Sequence, residues 1–565
     1  MTILSATPSE HKYSSGMTGA PQRVSRGRSR NGCSTCKARR VKCDELRPAC
    51  KKCTSTGRKC DFPIPQAAGS KPSKDLRVIH HVPKISHPVR LWQVPQSNEL
   101  VSEAEYRALE FFQLHTVNAF STNIAPYVLQ AAFHEPIIRT IAVAIGSMHR
   151  LFVFKPDSSS SSDDHARFTL RHYTKAIGQL VSVDLEASTK TNDTFLIACV
   201  LFFCFECLQG NYKAAFQHAT SGLKIIKNHV NASRQSVSTY MPPEALALLF
   251  IVLENQCLEI KNDDLVDSGL LVPGTSPFPS PVDSLANPSL SIDQLMRSFQ
   301  ILYNDFMGFE AICECIDLDE EAISPGEISD YFLQDYHRLV AGLKTWMHVF
   351  DDWVERGGAV DQEKTQSFIT LKIWRLAIQL ILSLYRPVTE LSWDNHDFEY
   401  EGITRLAAEM MGLPLTDTAP NSPGNLPSED RPQRLYPLPT LRPKPLRSIS
   451  SAFSLSLGIN TPLYLVATRC RHSTLRHRAI DLLSFGQRRE GLWDYDLAVR
   501  IAKQIIAIEE SSVGIEKGTC YTAADIPLAE RVSRIYVQFE EDKVVKVRYD
   551  QVNGTVIYEE TYSSR

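Results

Sequence analysis

No uninterrupted apolar run in this chain exceeds the eleven residues Phe195 to Phe205, about half of the roughly 20 that a membrane-spanning helix needs. No membrane partner is therefore expected. The first residues, MTILSATPSEHKYSSG, lack the apolar stretch of a signal peptide, so an oxidising compartment is not expected either, nor the disulfides that depend on one. Catalytic signatures are missing: there is no G-x-S-x-G, Walker A, H-E-x-x-H or G-x-G-x-x-G. His134-Glu135 meets Pro136 without a second histidine, and His149 and His218 fall on helical patterns, where surface or satisfied core positions are the expectation. The chain does not read as an enzyme.

What is present is cysteine in an ordered pattern. Cys33, Cys36, Cys43, Cys50, Cys53 and Cys60 form two copies of C-x2-C-x6-C, reading CSTCKARRVKC and CKKCTSTGRKC. Structural zinc takes four ligands in a tetrahedron and binds cysteine as thiolate. Two separate all-thiolate sites need eight cysteines, and this window has six and no histidine. Two zinc ions would therefore share two thiolates, and the repeat points to the first cysteine of each copy, Cys33 and Cys50, as the bridges. So short a segment has little apolar surface to bury, so metal binding would supply most of its folding free energy. A disulfide knot, or one zinc with two spare thiols, would use the same residues. The missing signal peptide disfavours the knot, and the metal reading is preferred.

Charge points to the partner. From Arg23 to Cys60 there are thirteen Lys and Arg against Asp44 and Glu45, a local +11 in a chain of net charge −3. A basic module joined to an acidic remainder suits nucleic acid. Single-stranded RNA modules usually present stacking aromatics, and residues 33–60 contain no Phe, Tyr or Trp. Duplex DNA is thus favoured over a zinc-dependent RNA- or protein-interaction module. Arg23, Arg26, Arg28 and Arg30 form a basic arm that reads as a nuclear import signal, as extra phosphate contacts or as a solvated tail.

The window 33–60 resembles the DNA-binding domain of the fungal binuclear zinc cluster transcription factors. The basic run Lys37, Ala38, Arg39, Arg40, Val41, Lys42 before Cys43 matches the family's pattern, as does Pro48 between the halves. The resemblance implies two zinc ions per chain, a nuclear location and regulation of RNA polymerase II genes through CGG-type half-sites. It also implies that the residue ending the first short helix, usually Lys and here Arg40, reads the triplet in the major groove. Arg can bond guanine O6 and N7 bidentately. Lys37 and Lys42 are expected on phosphates, and Arg39 is the next candidate reader.

The predicted architecture is a disordered arm over 1–30, a zinc cluster over 31–62 and a Pro-rich linker over 63–98 without a heptad for a coiled coil. A mostly all-α body over 99–562 follows. Periodicity predicts helices over 104–120, 135–155, 194–208, 244–261, 293–313, 330–354, 364–386 and 494–510. Asn192 and Asp193 are expected to cap the 194–208 helix, and Gly210 to end it before a helix carrying Tyr212, Ala215, Phe216, Ala219, Leu223 and Ile226. Ser158 to Ser162 reads as a flexible insert, 412–447 as a disordered loop, and the alternating tail from Arg534 to Tyr562 as a three-stranded meander. Segments such as 205–226 and 477–494 resemble the fungus-specific regulatory domain found behind such clusters, which implies an all-α regulatory module. One cluster touches only about three base pairs, so homodimer contacts are expected from the helical body, besides contacts with the transcription machinery.

Overall fold

The computed structural model describes residues 32–62 and residues 102–563, the latter apart from 261–280, 414–452 and several shorter connecting stretches. The arm over 1–30, the linker over 63–98, the Asn553-Gly554 turn and nearly all of the 412–447 loop lie outside the described residues. The chain divides into two compact units, residues 1–90 and 91–565.

In the first unit, helices α1 (Ser34–Ala38) and α2 (Lys51–Thr54) start at Cys33 and Cys50. Its core is sulfur: Cys33, Cys36, Cys43, Cys50 and Cys53 are buried together, with Cys60 and Phe62 packed against them. The Ser34 N–H donates to the Asp61 carbonyl at 2.8 Å, tying start to end. The Arg47 guanidinium lies 4.9 Å over the Phe62 ring.

The second unit is helical with two hydrophobic cores. Glu103–Leu114, Pro136–Phe154, Asn192–Gln209, Tyr212–Asn231 and Pro243–Ile260 enclose the first. Ile292–Leu318, Glu327–Glu355, Thr365–Ser383, Asp397–Met410, Asn460–Arg469 and Ser473–Gly486 enclose the second. The Tyr495–Ser512 helix serves both. Ile501, Ile505 and Ile508 belong to the first core, and Val499, Ala502 and Ile506 to the second. Two apolar stripes at helical spacing explain why this helix is apolar on two sides. Strands Val532–Phe539, Val544–Gln551 and Val556–Ser563 pair antiparallel in chain order, as the alternation predicts.

Several expectations change in detail. The first expected helix stops at Leu114, and Thr116–Ala119 continues as a 3-10 turn. The serine run does not stay an insert throughout: Ser160 opens a helix to Val181, and its buried residues Thr169, His172, Tyr173 and Ala176 recur at steps of three and four. Asp193 lies inside the helix rather than before it. Its carboxylate accepts the backbone N–H groups of Tyr240 at 2.7 Å and Met241 at 3.4 Å, pinning a distant segment. Gly210 ends the helix as expected, with φ 77°, a left-handed conformation that favours glycine. A second small sheet was not foreseen: Phe453–Ser454 pairs parallel with Arg489–Glu490, which pairs antiparallel with Trp493–Asp494.

His149 is a buried core residue, and His218 is part-buried. His149 Nδ1 lies 3.0 Å from Thr116 Oγ1, and His218 stacks on Phe202 with ring centroids 5.2 Å apart. Burial lowers each pKa from 6.5 to about 4, His115 adding to the effect at His149. The folded state therefore resists protonation that the unfolded chain accepts. Stability from these two groups is complete above 6.5 and falls as pH drops from 6.5 toward 4, by roughly 3 kcal/mol per histidine at the lower end. Thermal melts of helix content across that window should show the decline, and His218→Leu should reduce its slope. A flat profile would contradict neutral burial.

Candidate metal centre and nucleic-acid interface

The first unit repeats its backbone as well as its cysteines. Each half begins with a cysteine at a helix N-terminus, makes one short helical turn, and closes through a pair of backbone bonds. In the first half, Arg40 N–H reaches Lys37 O at 3.1 Å and Val41 N–H reaches Cys36 O at 3.1 Å. In the second, Gly57 N–H reaches Thr54 O at 3.2 Å and Arg58 N–H reaches Cys53 O at 3.0 Å. This is the paired closure of a Schellman motif, which sets the residue after the cap in a left-handed conformation. That residue is Gly57 (φ 59°) in one half and Arg40 (φ 57°) in the other.

The turns aim six sulfurs inward. Cys33 Sγ lies 3.8 Å from Cys50 Sγ, 3.7 Å from Cys53 Sγ and 3.9 Å from Cys43 Sγ, and Cys36 Sγ lies 3.6 Å from Cys50 Sγ. A tetrahedral zinc with sulfur at about 2.3 Å has sulfur–sulfur edges of about 3.8 Å, whereas a disulfide is about 2.05 Å long. All six are free thiols. Two sets of four sulfurs, Cys33–Cys36–Cys43–Cys50 and Cys33–Cys50–Cys53–Cys60, each lie within 4.8 Å, and they share Cys33 and Cys50. The donor set therefore fits two zinc ions with two common ligands, the sharing that the repeat predicts.

The surroundings suit thiolate. Backbone N–H groups point at sulfur: Cys36 N to Cys33 Sγ at 3.4 Å, Glu45 N to Cys43 Sγ at 3.4 Å and Cys50 N to Cys60 Sγ at 3.2 Å. Such donors orient and stabilise metal-bound sulfur. Burial opposes ionisation of Cys33, but the Cys36 N–H and neighbouring thiols outweigh it and lower its pKa to about 6. At Cys36 burial and crowding by the other thiols push the pKa up, and at Cys53 burial with Cys50 and Cys33 does so against Cys36 and Cys60. The Cys50 N–H favours the Cys60 thiolate, yet burial and the other thiols leave its pKa at about 12. Six crowded thiols cannot all ionise alone, so a divalent metal must displace protons as it binds.

The basic run lies outside this core. Lys37, Arg40 and Lys42 are exposed, and Lys51, Lys52, Arg58 and Lys59 add exposed positive charge from the second half. Arg39 is only part-exposed: its Nη1 donates to Thr56 Oγ1 at 3.3 Å and Lys52 O at 3.4 Å. Asp44 Oδ1 accepts the N–H groups of Leu46 and Lys51, each at 3.3 Å, holding the start of α2. Charge and motif do not mark Thr56 and Asp44 as site residues; aligning the two cysteine triplets brings Thr56 opposite Arg39 and is the signal that finds it.

A family model described as the fungal Zn(2)-Cys(6) binuclear cluster domain matches residues 31–68. The aspercryptin biosynthesis cluster-specific transcription regulator of Emericella nidulans is 33% identical over 97% of this chain and 98% of its own length. The chain belongs to the fungal Zn(2)-Cys(6) transcription regulators. A Zn(2)-C6 fungal-type transcription factor of Aspergillus fumigatus is 27% identical over 37% of the chain and 55% of its own. Sterol uptake control protein 2 of Saccharomyces cerevisiae is 49% identical over 8% of the chain and 5% of its own. No solved structure matches. As a member of this family the protein is a DNA-binding transcription regulator with a two-zinc cluster.

Proposed function

We propose that the protein is a nuclear, sequence-specific regulator of RNA polymerase II genes that reads CGG-type half-sites through residues 31–62. Cys33 and Cys50 bridge the two zinc ions, and Cys36, Cys43, Cys53 and Cys60 complete the two sets. Arg40 reads guanine, and Lys37 and Lys42 hold phosphates. The observation that carries this reading is the backbone of Arg40. A left-handed residue with a β-carbon costs about 1–2 kcal/mol, a cost the second half avoids with Gly57 at the same place. Strain of this kind concentrates at functional sites. Here it projects a long cationic fork from the end of α1, where a bidentate contact to O6 and N7 of guanine is possible.

The similarity along nearly the whole chain to a biosynthesis cluster-specific regulator supports extending the reading to the genes of one biosynthetic cluster. The body, which carries no catalytic signature, would then be a regulatory module that meets the transcription machinery and pairs two chains on paired half-sites. Arg40→Ala tests the reading step. On a CGG-containing duplex the variant should lose about 1–3 kcal/mol of affinity and discriminate poorly at the guanines. Lys42→Ala should instead weaken binding to every sequence and flatten the salt dependence. An unchanged specific-to-nonspecific ratio in Arg40→Ala would contradict Arg40 as the reader.

A further inference from the structure

The repeat in the first unit places equal positions of its two halves against each other. Cys33 faces Cys50 at 3.8 Å and Cys36 faces Cys53 at 3.9 Å, each pair 17 residues apart. Arg39 and Thr56 are the next such pair, again 17 apart, and the Arg39 Nη1 donates to Thr56 Oγ1 at 3.3 Å. The same nitrogen reaches Lys52 O at 3.4 Å, and the Thr56 hydroxyl is itself held by donating to Lys52 O at 2.9 Å. At the other end of α1, the Thr35 hydroxyl donates to Lys59 O at 2.9 Å. Each end of this five-residue helix is thus tied to the opposite half by one side chain.

We infer that Arg39 is a positioning residue, whose guanidinium fastens the end of α1 to the second half and so sets the direction in which Arg40 projects. The inference rests on Arg40 being the reader. A helix of one turn has little packing of its own, and among the described residues the core of the unit holds, apart from sulfur, Phe62 alone. The orientation of α1 therefore depends on the thiolates and on these two ties. Arg39 directly precedes the left-handed Arg40, so a shift at its Cα rotates the reading side chain. A guanidinium engaged with Thr56 and Lys52 has fewer donors left for DNA, which separates Arg39 from Arg40 although both are arginines in one basic run.

The test uses the full-length, zinc-loaded chain with Arg40→Ala, Arg39→Ala, Thr56→Val and the Arg39→Ala/Thr56→Val double variant. Each is titrated onto a CGG-containing duplex and a scrambled duplex over a range of salt. Native mass spectrometry establishes that each retains its zinc. Thr56→Val changes no charge and keeps the side-chain shape. It is expected to lower the specific-to-nonspecific ratio about fivefold, the scale of one lost hydrogen bond, with an unchanged salt slope. The double variant should be no worse than Arg39→Ala, because both remove one interaction. A wild-type ratio in Thr56→Val, or additive losses in the double variant, would overturn the inference. A salt slope lowered by about one unit in Arg39→Ala beside a silent Thr56→Val would mark Arg39 as a phosphate contact. If Arg40→Ala itself keeps the wild-type ratio, Arg40 is not the reader; if Arg40→Ala loses discrimination while Thr56→Val does not, only the positioning role fails.

Discussion

Replacing either shared cysteine, Cys33→Ser or Cys50→Ser, should remove both zinc ions and abolish DNA binding, while the helical body keeps its melting behaviour. Both four-sulfur sets contain these two residues, so the loss of one leaves neither set complete. Cys43 and Cys60 each belong to one set, and Cys43→Ser or Cys60→Ser should leave an intermediate zinc content, although DNA binding still fails because the halves are no longer held together. The scale of the effect follows from the core, which is sulfur with Phe62 against it. Structural zinc contributes about 10–16 kcal/mol to comparable small domains at neutral pH, far beyond what one aromatic ring supplies. Chelator titration followed by native mass spectrometry and by far-UV circular dichroism separates the outcomes. A Cys50→Ser chain that retains two zinc ions would contradict the shared-ligand arrangement.

The second large effect is expected in the body, at Glu509. Its side chain is fully buried, and its two carboxylate oxygens lie 2.9 Å from Arg471 Nη2 and 2.9 Å from Arg476 Nη1, both also fully buried. Burial alone would raise its pKa, but the Arg476 and Arg471 guanidiniums outweigh burial and hold it lowered. Glu509 also accepts the Val532 N–H at 3.2 Å, at the start of the C-terminal sheet. Glu509→Gln preserves size but leaves the buried Arg476 without its carboxylate partner and Arg471 with Glu390 alone, at 2.8 Å, a change that costs roughly 3–5 kcal/mol. Denaturant unfolding of the full chain should register this as a lower midpoint of the helix transition. Adding Arg476→Met should recover part of the loss, since the pair can be replaced by apolar contacts more cheaply than it can be broken. A loss below about 1 kcal/mol, the range of exposed pairs, would contradict the burial of this cluster.

The two predictions differ in how far their residues could be found beforehand. The cysteines are legible because metal geometry constrains spacing and number directly, and the helices because one face repeats at 3.6 residues, as in Tyr212 to Ile226. The ion cluster is not legible in that way. Nothing in the spacing of Arg469, Arg471 and Arg476 marks them as partners of distant carboxylates, and only tertiary packing brings Glu390, Glu509 and Arg531 to them. The Phe453–Ser454, Arg489–Glu490 and Trp493–Asp494 strands hold two residues each, too few to establish alternation. Ser160–Val181 was hidden by its serine-rich first turn. At the candidate site, the basic run was visible as charge, but the division of labour within it was not. It required knowing that Arg40 adopts the backbone of Gly57 and that Arg39 is engaged across the repeat.

The zinc-loaded chain is expected to choose its DNA sequence through Arg40. Selection of bound duplexes from a random pool, followed by sequencing, measures that choice without assuming a site. The full-length chain should enrich CGG triplets, and Arg40→Ala should bind the pool more weakly and enrich them far less. No enriched triplet, or the same CGG preference in both proteins, would contradict sequence reading by Arg40.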